Sequence, residues 1–125
     1  MEKKPTYNVK VSIEDDILEL AWTGDITELG THETMMKEII AIERSTNVKN
    51  KLVDIRNLKG RLGTVELYEF VRNYPSDRPR LRTAIVDNQE CAQTASFHET
   101  TAINAGLPLK WFTDIDEARA WIKSK

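Results

Sequence analysis

Three short apolar runs, separated by stretches of helical periodicity, constrain this chain more than anything else in it. KLVDI (51–55), RTAIVD (82–87) and LKWFT (109–113) have strand length and polar borders. Between the first two, Leu67, Phe70, Val71 and Tyr74 recur at helical spacing until Pro75 stops the helix. Between the second and third, QTASFHETTAINAG sets Ala95, Ala102 and Ile103 on one side and ends at Gly106, although it is thinly apolar for a helix that covers a sheet. Strands alternating with helices in this way build a parallel sheet with right-handed crossovers.

The chain ahead of these runs follows a different period. Tyr7, Val9, Val11 and Ile13 alternate with polar residues, and after EDD the alternation resumes through Leu18, Leu20 and Trp22, which predicts an antiparallel hairpin. TGDIT breaks it, and Leu29, Met36, Ile39 and Ile40 then fall near helical spacing up to RSTN. At the far end Asp114 is placed to cap a helix with Ile115, Ala118 and Ile122 along one face, and Glu117 stands at the capping-box position. The expected order is β-β-α-β-α-β-α-β-α, an α/β fold whose mostly parallel sheet opens with an antiparallel hairpin. Ligand sites in such sheets gather outside the carboxyl ends of the strands. Here those ends lead into RNLKGRLGT, DNQECAQT and TDID.

At 125 residues the chain is expected to be one domain. Its apolar fraction of 40% and charged fraction of 30% are those of a soluble globular protein. The apolar run Ile39-Ile40-Ala41-Ile42 is far too short for a bilayer span, and MEKKPTYNVKV lacks the apolar core of a secretory signal. With one cysteine, Cys91, an internal disulfide is excluded, and a cytoplasmic location without integral membrane association is expected.

The net charge of −2 hides two blocks. Residues 13–43 carry −8, with Lys37 the one base, and residues 49–82 carry +5. Such a chain could associate head to tail with itself or offer its basic part to an acidic partner. The alternative is two solvated faces that only solubilise.

AWTGDIT leading into the first helix, LVDIRN followed by a loop and helix, RTAIVD, and the closing WFTDIDEARAWI together resemble the SpoIIAA-like fold, and more narrowly the small stand-alone bacterial proteins of the STAS group. That group is also similar in topology to lipid-carrying CRAL-TRIO domains. The resemblance implies a domain spanning nearly the whole chain. In anti-sigma-factor antagonists of this fold, the loop after the LVD-like strand ends in Asp-Ser-Ser/Gly-Gly, and the first serine is phosphorylated by a partner kinase. Here those positions fall at about Leu62, Gly63, Thr64 and Val65. Gly63 holds the acceptor place, the acid is missing, and Thr64 is the one hydroxyl that could stand in.

Read by itself, Thr64 is either an exposed hydroxyl at a positive helix end or a plain N-cap. Lys59-Gly60-Arg61-Leu62-Gly63 lacks the Gly-Lys pair and spacing of a P-loop. Its G-x-x-G matches the backbone clamp of KH domains, but a strand stands where that fold needs a helix, so no nucleic-acid binding is expected. The remaining reading is a βα loop that uses glycine for permissive backbone angles.

Arg72, Arg78, Arg80 and Arg82 form the densest basic cluster, broken by Pro75 and Pro79. Cys91 follows a strand end, yet CAQTASF has phenylalanine where C-x5-R needs arginine, and neither His32 nor His98 is tied to it by spacing. His98 and Glu99 are neighbours that face different ways on a helix, and no metal-ligand spacing is present. Glu99 lies either at the edge of the core stripe or turned into a cavity, and with Phe97, Thr101 and Asn104 it marks a candidate pocket wall. Trp22, Trp111 and Trp121 read as core.

These readings, with the resemblance, point to a non-enzymatic regulatory module that needs no cofactor or metal. It would act on a protein partner, or on itself as a homodimer, through the basic loop surface of Lys59, Arg61, Gly63 and Thr64 and through the acidic first helix. The alternative is a carrier of a small hydrophobic, lipid-like ligand, and an enzyme built on Cys91 or Glu99 comes third.

Overall fold

The computed structural model describes residues 6–28, 31–60, 65, 69, 72, 81–91, 99–100, 103–104, 106 and 108–124. The elements are β1 (Tyr7–Glu14), β2 (Ile17–Asp25), α1 (Thr31–Arg44), β3 (Asn50–Lys59), β4 (Arg82–Val86), a 3₁₀ turn (Gln89–Cys91), β5 (Leu109–Phe112) and α2 (Ile115–Lys123). Val65, Glu69 and Arg72 after β3, and Glu99, Thr100, Ile103 and Asn104 before β5, have helical backbone, in the two stretches where helices are expected. Leu67, Phe70, Val71, Tyr74, Ala95 and Ala102, on which those expectations rest, lie outside the described residues.

The five strands form one sheet in the order β1-β2-β3-β4-β5. β1 and β2 are antiparallel, and every later neighbour is parallel. The hairpin closes with Glu14 opposite Ile17, so only Asp15 and Asp16 make the turn. Both have positive φ, 52° and 63°, as a type I′ turn requires, and aspartate tolerates that region better than most side chains.

Alternation sorts the strands into two faces. Leu18, Leu20 and Trp22 of β2 share the first face with Val53 and Ile55 of β3, and Met35 and Ile39 of α1 pack against them. Leu52, Ala84 and Val86 lie on the second face under Ala118 and Ile122 of α2. That helix starts as its sequence predicts: Asp114 Oδ1 accepts from the N–H of Asp116 at 2.7 Å and of Glu117 at 3.4 Å. One expectation needs correction: Ile103, assigned to a core stripe, is 52% exposed; and on the apolar face of the hairpin Val11 and Ile13 are 45% and 54% exposed.

β3 carries an irregularity. Ala21 pairs with Asp54 but Thr23 pairs with Asn57, so Ile55 and Arg56 together face Trp22. The extra residue resets the alternation and lets Ile55 and Leu58, three apart, enter the same core.

Candidate functional site

The carboxyl ends of the parallel strands form a rim: Asp25 to Thr27 at the end of β2, Lys59 and Gly60 at the end of β3, Asp87 and Asn88 after β4, and Thr113 and Asp114 after β5. Its geometry is held from within. Asn88 donates from its side-chain amide to the carbonyl of Arg56 at 2.9 Å, tying the exit of β4 to the irregular part of β3. The N–H of Ile26 donates to the carbonyl of Lys59 at 2.9 Å and ties β2 to β3.

Gly60 makes the exit from β3 possible. Its φ is +94°, and a Cβ there would stand 3.0 Å from Thr27 Cγ2 and 3.1 Å from Ile26 Cγ1. Glycine thus serves both the turn and the close approach to β2. Of the basic loop residues, Lys59 is described: its side chain is 77% exposed, and Nζ lies 4.0 Å from Asp25 Oδ2. Arg61, Gly63 and Thr64 lie outside the described residues. Asp25 accepts from the Thr27 hydroxyl and, at 2.7 Å, from the Thr27 N–H. These bonds, with a smaller pull from Lys59, hold its carboxyl below the usual value.

Inside the rim, Arg56 grips Asp54 in a fork, Nε to Oδ1 at 3.0 Å and an Nη to Oδ2 at 2.8 Å. Burial alone would push the Asp54 carboxyl up. The hydrogen bonds and charge of Arg56 outweigh it, with Arg119 adding its charge, and hold the carboxyl below its usual value. On this second face a cleft of about 230 Å³ is lined by Lys10, Ser12, Glu19, Asp54, Ile115 and Arg119 among others. Its charges are largely matched, since Arg119 also bonds Glu19 at 3.1 Å.

Lys59 and Arg82, one from each basic group of the sequence, do not meet. Arg82 pairs with Asn50 at the start of β3, while Lys59 ends that strand. They stand at opposite ends of the sheet, about 30 Å apart at strand rise. Arg82 is occupied structurally: its guanidinium lies 3.9 Å from the centroid of Trp121 and donates to the carbonyl of Ser124. Arg72 is exposed, and Arg78 and Arg80 lie outside the described residues.

Glu99 is half-buried. Its Oε2 accepts from the N–H of Trp111 at 3.1 Å, which satisfies a backbone donor of β5. Asn104 is exposed, and Phe97, Thr101, His98 and the side chains of His32 and Cys91 lie outside the described residues. Among the described residues no group of His, Cys, Asp and Glu is placed to hold a metal ion, and no helix is long and apolar enough to cross a membrane. The charge blocks partly cancel inside the molecule. Glu43 of α1 and Lys51 of β3, one from each block, form a buried ion pair at 2.7 Å, and Asp25 and Lys59 a looser one.

No protein-family model matches the sequence, and no curated protein matches it. Solved structures do match the fold. An anti-sigma factor antagonist from Mycobacterium paratuberculosis is similar over 99% of this chain and 100% of its own, with a TM-score of 0.62 and 15% identity. A protein of the DUF3478 family with a SpoIIAA-like fold, from Shewanella loihica PV-4, is similar over 98% of both chains, with a TM-score of 0.59 and 16% identity. A five-stranded sheet opened by an antiparallel hairpin, matched over nearly its whole length by these structures, gives this chain the SpoIIAA-like fold.

Proposed function

We propose that the chain is a non-enzymatic regulatory module that binds a protein partner through the carboxyl rim of its sheet, centred on the exit of β3. The observation that carries this reading is the built exit itself: Gly60 at positive φ, pressed against Ile26 and Thr27, behind an exposed Lys59. Antagonists that the fold resembles keep their phosphorylated serine just beyond this point. Gly63 at that place makes this module one that works without the usual phosphate, its contact supplied by Lys59 and Arg61.

The test is calorimetric titration of the purified chain against the purified anti-sigma factors of its own genome. Binding is expected, with Lys59→Glu and Arg61→Glu each weakening it about tenfold, the equivalent of about 1.4 kcal/mol. Incubation with ATP and a kinase-type partner should leave the mass of the chain unchanged. Failure of every anti-sigma factor to bind, or binding indifferent to both substitutions, would overturn the proposal. A phosphate on Thr64 would refute its switchless form.

A further inference from the structure

We infer that the outer edge of β1 is a homotypic interface, on which a second copy of the chain pairs its own β1 antiparallel about a two-fold axis at Ser12. This goes beyond the carboxyl-rim reading and does not depend on it. β1 is the terminal strand of the sheet, and residues 10–14 are all exposed although β2 covers their other side. The N–H of Asp25 donates to the carbonyl of Thr6 at 2.9 Å, so Thr6 turns its backbone groups toward β2. In an antiparallel ladder this direction alternates, and Tyr7, Val9, Val11 and Ile13 therefore aim theirs outward. A strand edge of this kind is a template for another strand.

The sequence of β1 is complementary to itself in one register. With Ser12 opposite Ser12, each Val11 faces the other copy's Ile13, and each Lys10 faces the other copy's Glu14. The Val11–Ile13 pairs then exchange the outward backbone hydrogen bonds. They also cover the large apolar side chains that β1 leaves exposed, extending the row that Tyr7 and Val9 begin in the core. The Lys10–Glu14 pairs fall at non-hydrogen-bonded positions, where opposing side chains come closest. Within one copy, among the described residues, neither Lys10 nor Glu14 has an ion-pair partner. A register centred on Lys10 would set lysine against lysine. One centred on Val11 would place Lys10 opposite Ser12 and leave the charges unmatched.

The test is sedimentation equilibrium of the full chain from about 1 µM to about 1 mM. A reversible dimer is expected. Lys10→Glu and Glu14→Lys should each weaken it about tenfold or more, because two symmetry-related pairs turn from attraction to repulsion together. The double substitution K10E/E14K should restore it to within about threefold of the original. Val11→Pro removes an outward N–H without touching the ladder to β2, and should abolish dimers while circular dichroism stays native. A chain that stays monomeric throughout, or a dimer indifferent to the charge reversals or to Val11→Pro, would overturn the inference.

Discussion

Lys51→Met should be among the most damaging single substitutions outside the apolar core. The Lys51 ammonium and the Glu43 carboxylate meet at 2.7 Å with 7% and 2% of their side chains exposed, so the pair joins the last turn of α1 to the start of β3 away from water. Removing the cation leaves a buried carboxylate that has lost its counter-charge, a change that costs about 3–5 kcal/mol. A chain of this size has roughly 5–15 kcal/mol of stability in all, so about a fifth or more would be lost. Replacing both partners by apolar residues, Glu43→Leu with Lys51→Met, removes the desolvation cost together with the attraction, and should be neutral or stabilising by up to about 4 kcal/mol. Urea unfolding of the wild type, both single variants and the double variant, followed by tryptophan fluorescence, closes the cycle. If the single substitution costs less than about 1 kcal/mol, or if the double variant is no better than the singles, the two groups do not act as a buried unit and the reasoning fails.

Tyr7 donates to Glu38 Oε2 at 2.8 Å, and burial, followed by that bond and the carboxylate charge, pushes its phenol up to about 12. Alkaline difference spectroscopy should therefore show one tyrosine ionising near pH 12, a component that Tyr7→Phe removes. Because the folded value lies above the ordinary 10.0, this contribution is present below pH 10.0 and is lost as pH climbs through about 12. Arg56→Met strips Asp54 of its fork and should move its carboxyl titration upward, read by carbon NMR. In the wild type the depressed value makes the pair stabilising above about pH 3.8, with the contribution lost as pH falls below it. Asp16→Gly should stabilise the hairpin by about 0.5 kcal/mol, since roughly 1 kcal/mol of left-handed strain exceeds the extra chain entropy; a fall in the urea midpoint would refute this. Gly60→Ala should cost about 2 kcal/mol, given its φ of +94° and the contact at 3.0 Å, and thermal unfolding measures it.

Local pattern made the strands legible. KLVDI, RTAIVD and LKWFT became β3, β4 and β5 because strand length and polar borders are local properties of each run, and Asp114 capped α2 because capping is settled within three residues. Features that depend on distant partners were not legible. Arg82 looks like a free cation beside Arg78 and Arg80, but its partner, Ser124, lies 42 residues away. Glu99 sits on an apolar stripe and gives no sign that it will bond the N–H of Trp111. The irregularity at Ile55 and Arg56 left a faint trace. Val53, Ile55 and Leu58 break strict alternation, and the apolar spacing of three inside a strand is what an inserted residue produces. Charge counts along the chain misled in a similar way, because folding sets Glu43 against Lys51 and so removes part of the asymmetry that the blocks suggest.

The two proposed surfaces have a fixed geometric relation. β1 runs antiparallel to β2, β3, β4 and β5, and a second β1 would run antiparallel to the first. The parallel strands of the two copies would then point opposite ways, and the two carboxyl rims would open at opposite ends of one continuous sheet. Neither rim would be covered by the β1 contact, because the strand edge and the strand ends are different boundaries of the sheet. Self-pairing and partner binding should therefore be energetically independent, with coupling below about 0.5 kcal/mol, as expected of sites that share no residues. Titrating a rim partner into the wild type and into Lys10→Glu should give the same affinity per chain. In the wild type alone, two partners should be held on one particle. An affinity that rises or falls with the state of β1 would show that one of the two surfaces has been misplaced, and Lys59→Glu, read on both dimerisation and partner binding, would identify which.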